Sequence, residues 1–181
     1  ETVGIVGESG SGKSTVARCI PRLIEPTSGD IFADGRSVAK ASGRALSPFR
    51  RRVQVVFQDP YRSLNPRQTA GASIIEGPLN FGVPRAQAWA RAEELMRLVR
   101  LQPEALHRYP SEFSGGQRQR ISIARALATE PQVLIADEAV SALDVSVQAQ
   151  ILDLLNEIQQ RLAIGILFIT HDLRVASQIC D

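Results

Sequence analysis

The sequence predicts an α/β fold with a mainly parallel sheet flanked by helices. Three short apolar runs, Thr2–Val6, 133–136 (VLIA) and 164–169 (IGILFI), are typical of strands buried on both faces. Each run is followed at once by polar residues, and a fourth run, 53–57 (VQVVF), ends in the same way at Gln58. Ligands of such sheets bind beyond the carboxyl ends of the strands. The pattern therefore predicts a functional site along one edge of the sheet.

Composition and charge limit the classes of function that this chain can have. The 181 residues suit one domain, and 44% hydrophobic residues supply a sizeable core. A net charge of +2 gives no case for a general nucleic-acid binder. No apolar run approaches the roughly 18 residues that span a bilayer. A membrane role would therefore be peripheral, through a partner.

Cys19 and Cys180 lack metal or redox spacing and are expected to be reduced, half-buried thiols.

Helical patterns lie between the strands. The first predicted helix covers 13–24 and ends before Pro26 and Gly29. A second covers Val145–Leu162 and carries an apolar stripe along one face. Residues 30–33 followed by 34–35 (DG) predict a strand that enters a tight turn, and hence a small antiparallel edge.

Residues 68–108 lack strand-like runs and predict a helical insertion. Within them, 84–101 places Ala88, Ala92, Leu95 and Val99 on one helical stripe. Trp89, Met96 and His107 are interpreted as packing or surface residues, not ligands. We expect a core of 1–67 and 129–181, and an inserted helical subdomain of 68–128.

The segment 7–14 (GESGSGKS) fits the phosphate-loop pattern G-x-x-x-x-G-K-[ST]. Its glycines let successive backbone N–H groups face one concavity, and the following helix adds its own N-terminal donors. We expect Lys13 to reach the β- and γ-phosphates of ATP and the Ser14 hydroxyl to bind Mg²⁺. A chance glycine-rich turn is the alternative, and the flanking strand and helix argue against it. The predicted nucleotide contacts are Gly7, Glu8, Ser9, Gly10, Ser11, Gly12, Lys13, Ser14 and Thr15.

Two carboxylates directly follow the apolar run 133–136. Asp137 is expected to hold Mg²⁺ through water, and Glu138 to act as general base on the attacking water. The alternative is that either residue merely caps the next helix. A phosphate loop in the same chain favours the catalytic interpretation.

A second anion-binding helix start occurs at 114–117 (SGGQ), ahead of a predicted helix over 118–128. One nucleotide needs only one such cradle. Two are useful if the second serves the nucleotide of another subunit.

At this point the chain resembles the ATP-binding domain of ABC transporters. SGGQ followed by RQRISIARAL is similar to the ABC signature motif. Gln58 resembles the Q-loop glutamine, 141–144 (SALD) the D-loop, and His171 the switch histidine. The resemblance extends over 2–181, nearly the whole chain.

The resemblance implies a P-loop NTPase core with an inserted ABC helical subdomain, working as a head-to-tail dimer. Ser114, Gly115, Gly116 and Gln117 would then contact the partner's ATP. His171 would hold the γ-phosphate and the attacking water in line. Gln58 would touch Mg²⁺ and sense the membrane partner.

The chain departs from the family pattern at two places without losing a reactive group. Phe113 replaces the usual leucine before SGGQ, and Ala139-Val140 replaces the common proline-threonine pair. Both ends look cut, so the family's adenine-stacking aromatic residue is expected upstream of Glu1.

The segment 57–67 (FQDPYRSLNPR) resembles the Q-loop of dipeptide and oligopeptide importers. Segment 137–150 and Tyr109-Pro110 fit the same branch. The resemblance implies permease subunits, a solute-binding protein and a place on the cytoplasmic face of the inner membrane. Relatives that carry nickel, glutathione or other peptide-like solutes leave the cargo open.

Two other classes compete with this interpretation. A soluble ABC-type ATPase acting on nucleic acid or ribosomes would generally carry long coiled-coil or tandem insertions, and none is visible. A binding module without turnover is disfavoured by the intact Glu138 and His171. The segment 50–52 (RRR) is interpreted as a solvated face, with docking to a membrane subunit as its alternative.

Overall fold

The computed structural model describes residues 1–181 as thirteen regular strands and α-helices joined by loops and three 3₁₀ turns. In chain order the elements are β1 (Thr2–Val6), α1 (Lys13–Cys19), β2 (Phe32–Ala33), β3 (Arg36–Ser37), α2 (Ser47–Arg52), β4 (Val53–Val56), α3 (Ala70–Asn80), α4 (Arg85–Leu98), α5 (Gly115–Leu127), β5 (Val133–Asp137), α6 (Val145–Leu162), β6 (Gly165–Thr170) and α7 (Leu173–Ile179).

The main sheet has four strands in the order β1-β6-β5-β4, and every neighbouring pair is parallel. The four apolar runs are these strands, with ends that differ from the prediction by at most one residue. The separate pair β2 and β3 is antiparallel, as the turn at 34–35 indicates. Helices flank the sheet, and the predicted α/β fold class is confirmed.

Two helix boundaries differ from the prediction. Helix α1 ends at Cys19, not at residue 24, because Pro21 has no N–H to donate and its ring obstructs the preceding turn. Arg22 then adopts a left-handed conformation with φ of 59°, which turns the chain away. The signature helix α5 begins at Gly115, three residues before its predicted start at 118. Helix α6 has the predicted ends.

Residues 68–108 are helical, as expected, but they form two α-helices where one was predicted. Helix α3 escaped prediction because Gly71, Gly77 and Pro78 interrupt its pattern. Its N-cap Thr69 accepts a hydrogen bond from the Ala72 N–H at 3.3 Å. A Cβ on Gly71 would lie 2.7 Å from the Trp89 ring, so glycine is required for α3 to meet α4.

The predicted stripe of α4 is buried, and Met96 is fully enclosed beside it. Trp89 stacks at a tilt on His107, with ring centroids 5.3 Å apart. Both residues therefore act in packing, as interpreted from the sequence.

The prediction of a solvated face for 50–52 is confirmed for Arg51, which is exposed, whereas Arg50 and Arg52 are half-buried. These arginines end α2, an element the sequence did not indicate, and each is engaged. Arg50 donates to the carbonyls of Pro21 and Arg22. Arg51 lies over the Phe81 ring at 5.7 Å, and Arg52 pairs with Asp34 at 2.6 Å.

No helix in the structure combines the length and the apolar character needed to cross a membrane. Cys19 and Cys180 are free and half-buried, as expected.

Candidate active site

The polar residues that follow the four parallel strands lie along one edge of the sheet. Gly7 follows β1, Gln58 follows β4 after one residue, Asp137 ends β5 and His171 follows β6. Since β6 and β5 are the central strands, His171 and Asp137 lie between the phosphate loop and Gln58. This is the carboxyl edge at which parallel sheets bind ligands.

The phosphate loop closes around the ammonium group of Lys13. Gly10 and Gly12 take φ values of 85° and 94°, which side chains with a Cβ rarely adopt. Lys13 is only 7% exposed, and its Nζ donates to the carbonyls of Gly7 and Glu8 at 2.7 Å each. The loop thus holds a shaped concavity with a buried positive charge at its base.

Ser14 and Asp137 bring two oxygens together beside the loop. The Ser14 hydroxyl donates to Asp137 Oδ1 at 2.9 Å, and Asp137 is 4% exposed. A hydroxyl, a carboxylate and the nearby Gln58 amide are oxygen donors of the kind that Mg²⁺ prefers. Mg²⁺ commonly takes one or two protein oxygens and completes its shell with water and phosphate. The residues present therefore fit a nucleotide-bound Mg²⁺ ion.

Glu138 and His171 approach each other at the same edge. His171 Nδ1 lies 3.4 Å from Glu138 Oε1, and the histidine side chain is half exposed. Glu138 holds a left-handed backbone with φ of 49°, and its N–H donates to the Ile169 carbonyl at 2.9 Å. The left-handed backbone at Glu138 is thus held by strand β6, and its carboxylate lies next to the His171 imidazole.

Two adjoining clefts collect most of the sequence-predicted residues. The smaller one, about 320 Å³, is lined by Ser9, Gly10, Gly12, Lys13, Ser14, Thr15, Gln58 and Glu138. The larger one, about 640 Å³, contains Ser14, Gln58 and Asp137, together with Arg18 and Arg62 among others. Ser14 and Gln58 line both clefts and join them into one site. His171 lines neither and is attached to the site through Glu138.

The signature residues lie apart from this site. Ser114 is the N-cap of α5: its Oγ accepts from the Gln117 N–H at 3.3 Å, and Gln117 Oε1 accepts from the Ser114 N–H at 3.0 Å. Ser114 is exposed, and none of residues 114–117 lines either cleft. A Cβ on Gly116 would lie 2.6 Å from Val147, so this glycine lets α5 start close against α6.

The D-loop residue Asp144 caps α6. Hydrogen bonds from the Ser146 hydroxyl and the Val147 N–H hold the pKa of Asp144 below its ordinary value. It therefore keeps its charge at the start of α6 over the physiological pH range.

Two contacts near the site were not anticipated from the sequence. The guanidinium of Arg118 lies 4.1 Å from the centre of the Tyr61 ring, linking the signature helix to the Q-loop segment. Gln119 is buried next to the acid pair. The only sequence signal for a special role of Gln119 was a polar residue on the apolar face of a predicted helix, near its start.

A family model described as "ABC transporter" matches residues 1–141. The chain belongs to the ABC transporter family. A putative peptide import ATP-binding protein of Brucella ovis is 54% identical over 182 residues, covering 100% of this chain and 57% of the relative. The glutathione import ATP-binding protein GsiA of Pectobacterium atrosepticum is 54% identical over 180 residues, covering 99% of this chain and 29% of the relative. The chain thus spans only part of the curated ABC transporter proteins it matches.

Solved structures of ABC transporter proteins share the fold. CbiO1 of Clostridium perfringens, part of the transporter complex CbiONQ, superposes with a TM-score of 0.88 at 30% identity, covering 100% of this chain and 71% of that one. A dimeric ATP-binding cassette in a post-hydrolysis state, bound to ADP and phosphate, gives 0.84 at 33% identity, covering 98% and 78%.

Replacing Lys13 by alanine is expected to weaken ATP binding by at least roughly 30-fold, the effect of truncating one partner of a buried charge pair. Equilibrium titration with a fluorescent ATP analogue measures this. Lys40→Ala, which removes the other, exposed lysine, is the matched control and should leave the affinity unchanged. Equal affinity in both variants would exclude the loop as the nucleotide site.

Proposed function

We propose that this chain is the ATP-hydrolysing domain of an ABC importer, and that it works as one half of a head-to-tail dimer. The observation that carries the proposal is the single cleft lined by Lys13, Ser14, Gln58 and Glu138. A loop for phosphate, oxygens for a cation and a carboxylate for a proton meet there. ATP hydrolysis needs these three elements and little covalent chemistry from the protein.

ATP would bind with its β- and γ-phosphates in the concavity of the loop. The N–H groups of residues 7–15 would donate to the phosphate oxygens, and Lys13 Nζ would exchange its bonds to Gly7 and Glu8 for phosphate. Ser14, Asp137 and Gln58 would hold Mg²⁺, which supplies positive charge against the β- and γ-oxygens when bound.

Hydrolysis then requires one proton transfer at Glu138. The carboxylate accepts a proton from a water molecule while the water oxygen attacks the γ-phosphorus. The bond from the γ-phosphorus to the β,γ-bridging oxygen breaks, and the products are ADP and inorganic phosphate. His171, 3.4 Å from Glu138, would orient the water and the γ-phosphate and hold the carboxylate in place.

Replacing Glu138 by glutamine keeps the shape of the site and removes the base. Turnover is expected to fall by roughly 10²–10⁴-fold, while ATP binding is retained. Steady-state phosphate release and nucleotide titration on the full-length protein measure the two quantities. Glu130→Gln, at an exposed carboxylate ahead of β5, is the control. Turnover of Glu138→Gln within about twofold of the parent would remove this residue from the base role.

The dimer completes the site with the partner's signature. Ser114, Gly115, Gly116 and Gln117 form the capped start of a 13-residue helix; none of them lines the two clefts of the candidate site, and Ser114 faces solvent. This solvent-facing helix N-terminus suits the γ-phosphate bound by another subunit. The similar cassette that forms a dimer with ADP and phosphate supports this arrangement. The second subunit can be a copy of this chain or a related ATPase.

Replacing Ser114 by arginine is expected to leave ATP binding to one subunit nearly intact and to block hydrolysis. The decisive measurement mixes this variant with Lys13→Ala. The heterodimer of the two contains one composite site with both its loop and its signature unaltered, so about half of the parent turnover per dimer should return. A mixture as inactive as each variant alone would contradict the head-to-tail arrangement.

Transport would place this domain at the cytoplasmic face of the inner membrane, against permease subunits that receive solute from a binding protein. We assign 1–67 and 129–181 to the core that binds ATP, and 68–128 to the helical subdomain that presents the signature. Nucleic acid has no part in this proposal.

Peptides are the proposed cargo. The Brucella ovis relative is named for peptide import, and the Q-loop segment 57–67 follows the same pattern. Glutathione, itself a short peptide, is the second candidate because the similar protein of Pectobacterium atrosepticum is named for its import.

Deleting the gene is expected to stop growth on short peptides supplied as the only source of a required amino acid. Growth on the free amino acid should continue, since the metabolic pathways are untouched. A strain carrying Glu138→Gln in the chromosome separates loss of turnover from loss of the protein. Normal peptide uptake in a deletion strain without a redundant importer would refute peptide import, and failure of glutathione uptake in that strain would favour the second candidate.

A further inference from the structure

Gln119 is a fully buried polar residue in the first turns of α5. Its exposed fraction is 0%, and it lies five positions after Ser114. A buried side-chain amide requires hydrogen-bond partners, because an unpaired one is destabilising. The Oε1 of Gln119 has no hydrogen-bond partner, so the two partners of its Nε2 indicate why a polar residue occupies this position.

The amide of Gln119 bridges the two loops that carry the candidate catalytic residues. Its Nε2 donates to the Ala139 carbonyl at 2.7 Å and to the Phe57 carbonyl at 3.4 Å. One of these carbonyls directly follows Glu138, and the other directly precedes Gln58. An amide nitrogen carries two hydrogens and can serve both acceptors. We call this pair of contacts the Gln119 bridge.

No backbone N–H of the chain donates to either carbonyl, so the bridge is their hydrogen-bond partner. This matters most beside Glu138, whose left-handed backbone persists only if the surroundings enforce it. The Ile169 carbonyl and the Ser141 side chain hold the N–H and the carbonyl of Glu138 itself. Gln119 holds the carbonyl of the next peptide unit.

We propose that Gln119 is a positioning residue: the Gln119 bridge sets the spacing between Glu138 and Gln58 and thereby aims the base at the attacking water. This inference rests on the proposed function, since it assigns a purpose to a residue behind that site. Gln119 is fully enclosed and lines neither cleft, so it would act only through the two loops. Its helix begins with the signature, so one rigid element meets the partner's nucleotide and supports the chain's own base.

The test replaces Gln119 by methionine in the full-length protein. Methionine keeps a similar length and removes the donor, so both carbonyls lose their partner while the space stays filled. Turnover is expected to fall about 10- to 100-fold, because small displacements of a base have effects of this size. The ATP dissociation constant should stay within about twofold, since the phosphate loop is not touched.

A second variant, Gln119→Asn, keeps an amide that is one methylene too short to reach both carbonyls. Asparagine tolerates a water molecule beside it better than methionine does. The variant should show the same loss of turnover, with unchanged affinity for ATP. The matched control is Ser122→Ala on the same helix, where a fully enclosed hydroxyl has no hydrogen-bond partner. That variant should keep the parent's turnover at a comparable melting temperature.

Glu138→Gln is measured alongside to separate the two ideas. Parent-like turnover in both Gln119 variants, with Glu138→Gln inactive, overturns the bridge and leaves the proposed function standing. An active Glu138→Gln refutes the base and the bridge together. If the Gln119 variants lose affinity and turnover in parallel, or if Ser122→Ala loses as much turnover, the role of Gln119 is general packing and the proposal is wrong.

Discussion

Hydrogen bonding between β5 and β6 fixes where the reactive groups of the site lie. Asp137 is in register with Ile169, and the Glu138 N–H extends the ladder one step to the Ile169 carbonyl. Neighbouring strands lie about 4.8 Å apart, so the residues that follow them must be close. Glu138 and His171 meet for this reason. On the outer sides, β1 pairs Val6 with Thr170 and β4 pairs Val56 with Ala136, which sets the level of the phosphate loop and of the Q-loop.

The sheet separates two hydrophobic cores that hold different parts of the site. Alternate residues of β5 face opposite sides: Leu134 and Ala136 join a cluster of 32 buried residues, whereas Ile135 joins one of six. The larger cluster includes α5 and therefore positions the signature. The smaller cluster contains Ala17 of α1 and supports the phosphate loop. Strand β5, which ends in Asp137, contributes to both clusters, so the signature helix α5 and the phosphate loop are both supported by the same strand.

Sequence patterns located the strands correctly and indicated candidate site residues, because both depend on local chemistry. A buried parallel strand is a continuous apolar run, and a phosphate loop needs glycine, lysine and serine at fixed spacing. Helix α3 was not predicted because Gly71 is needed for close packing against Trp89, nearly 20 residues later in the chain. Arg50 and Gln119 escaped for a related reason: their acceptors are backbone carbonyls. Every residue has a backbone carbonyl, so residue types do not show which carbonyl will accept a long-range hydrogen bond. Such contacts become visible only in the three-dimensional structure.

The internal bonds of Lys13 also bear on the conformation of the phosphate loop. The ammonium group donates to the carbonyls of Gly7 and Glu8, and these two bonds cross-link the loop and restrict its backbone. Lys13 thus serves as a structural residue of the loop in addition to its proposed contact with phosphate. The conformation of the loop therefore rests on one side chain within the loop as well as on the left-handed backbone of Gly10 and Gly12.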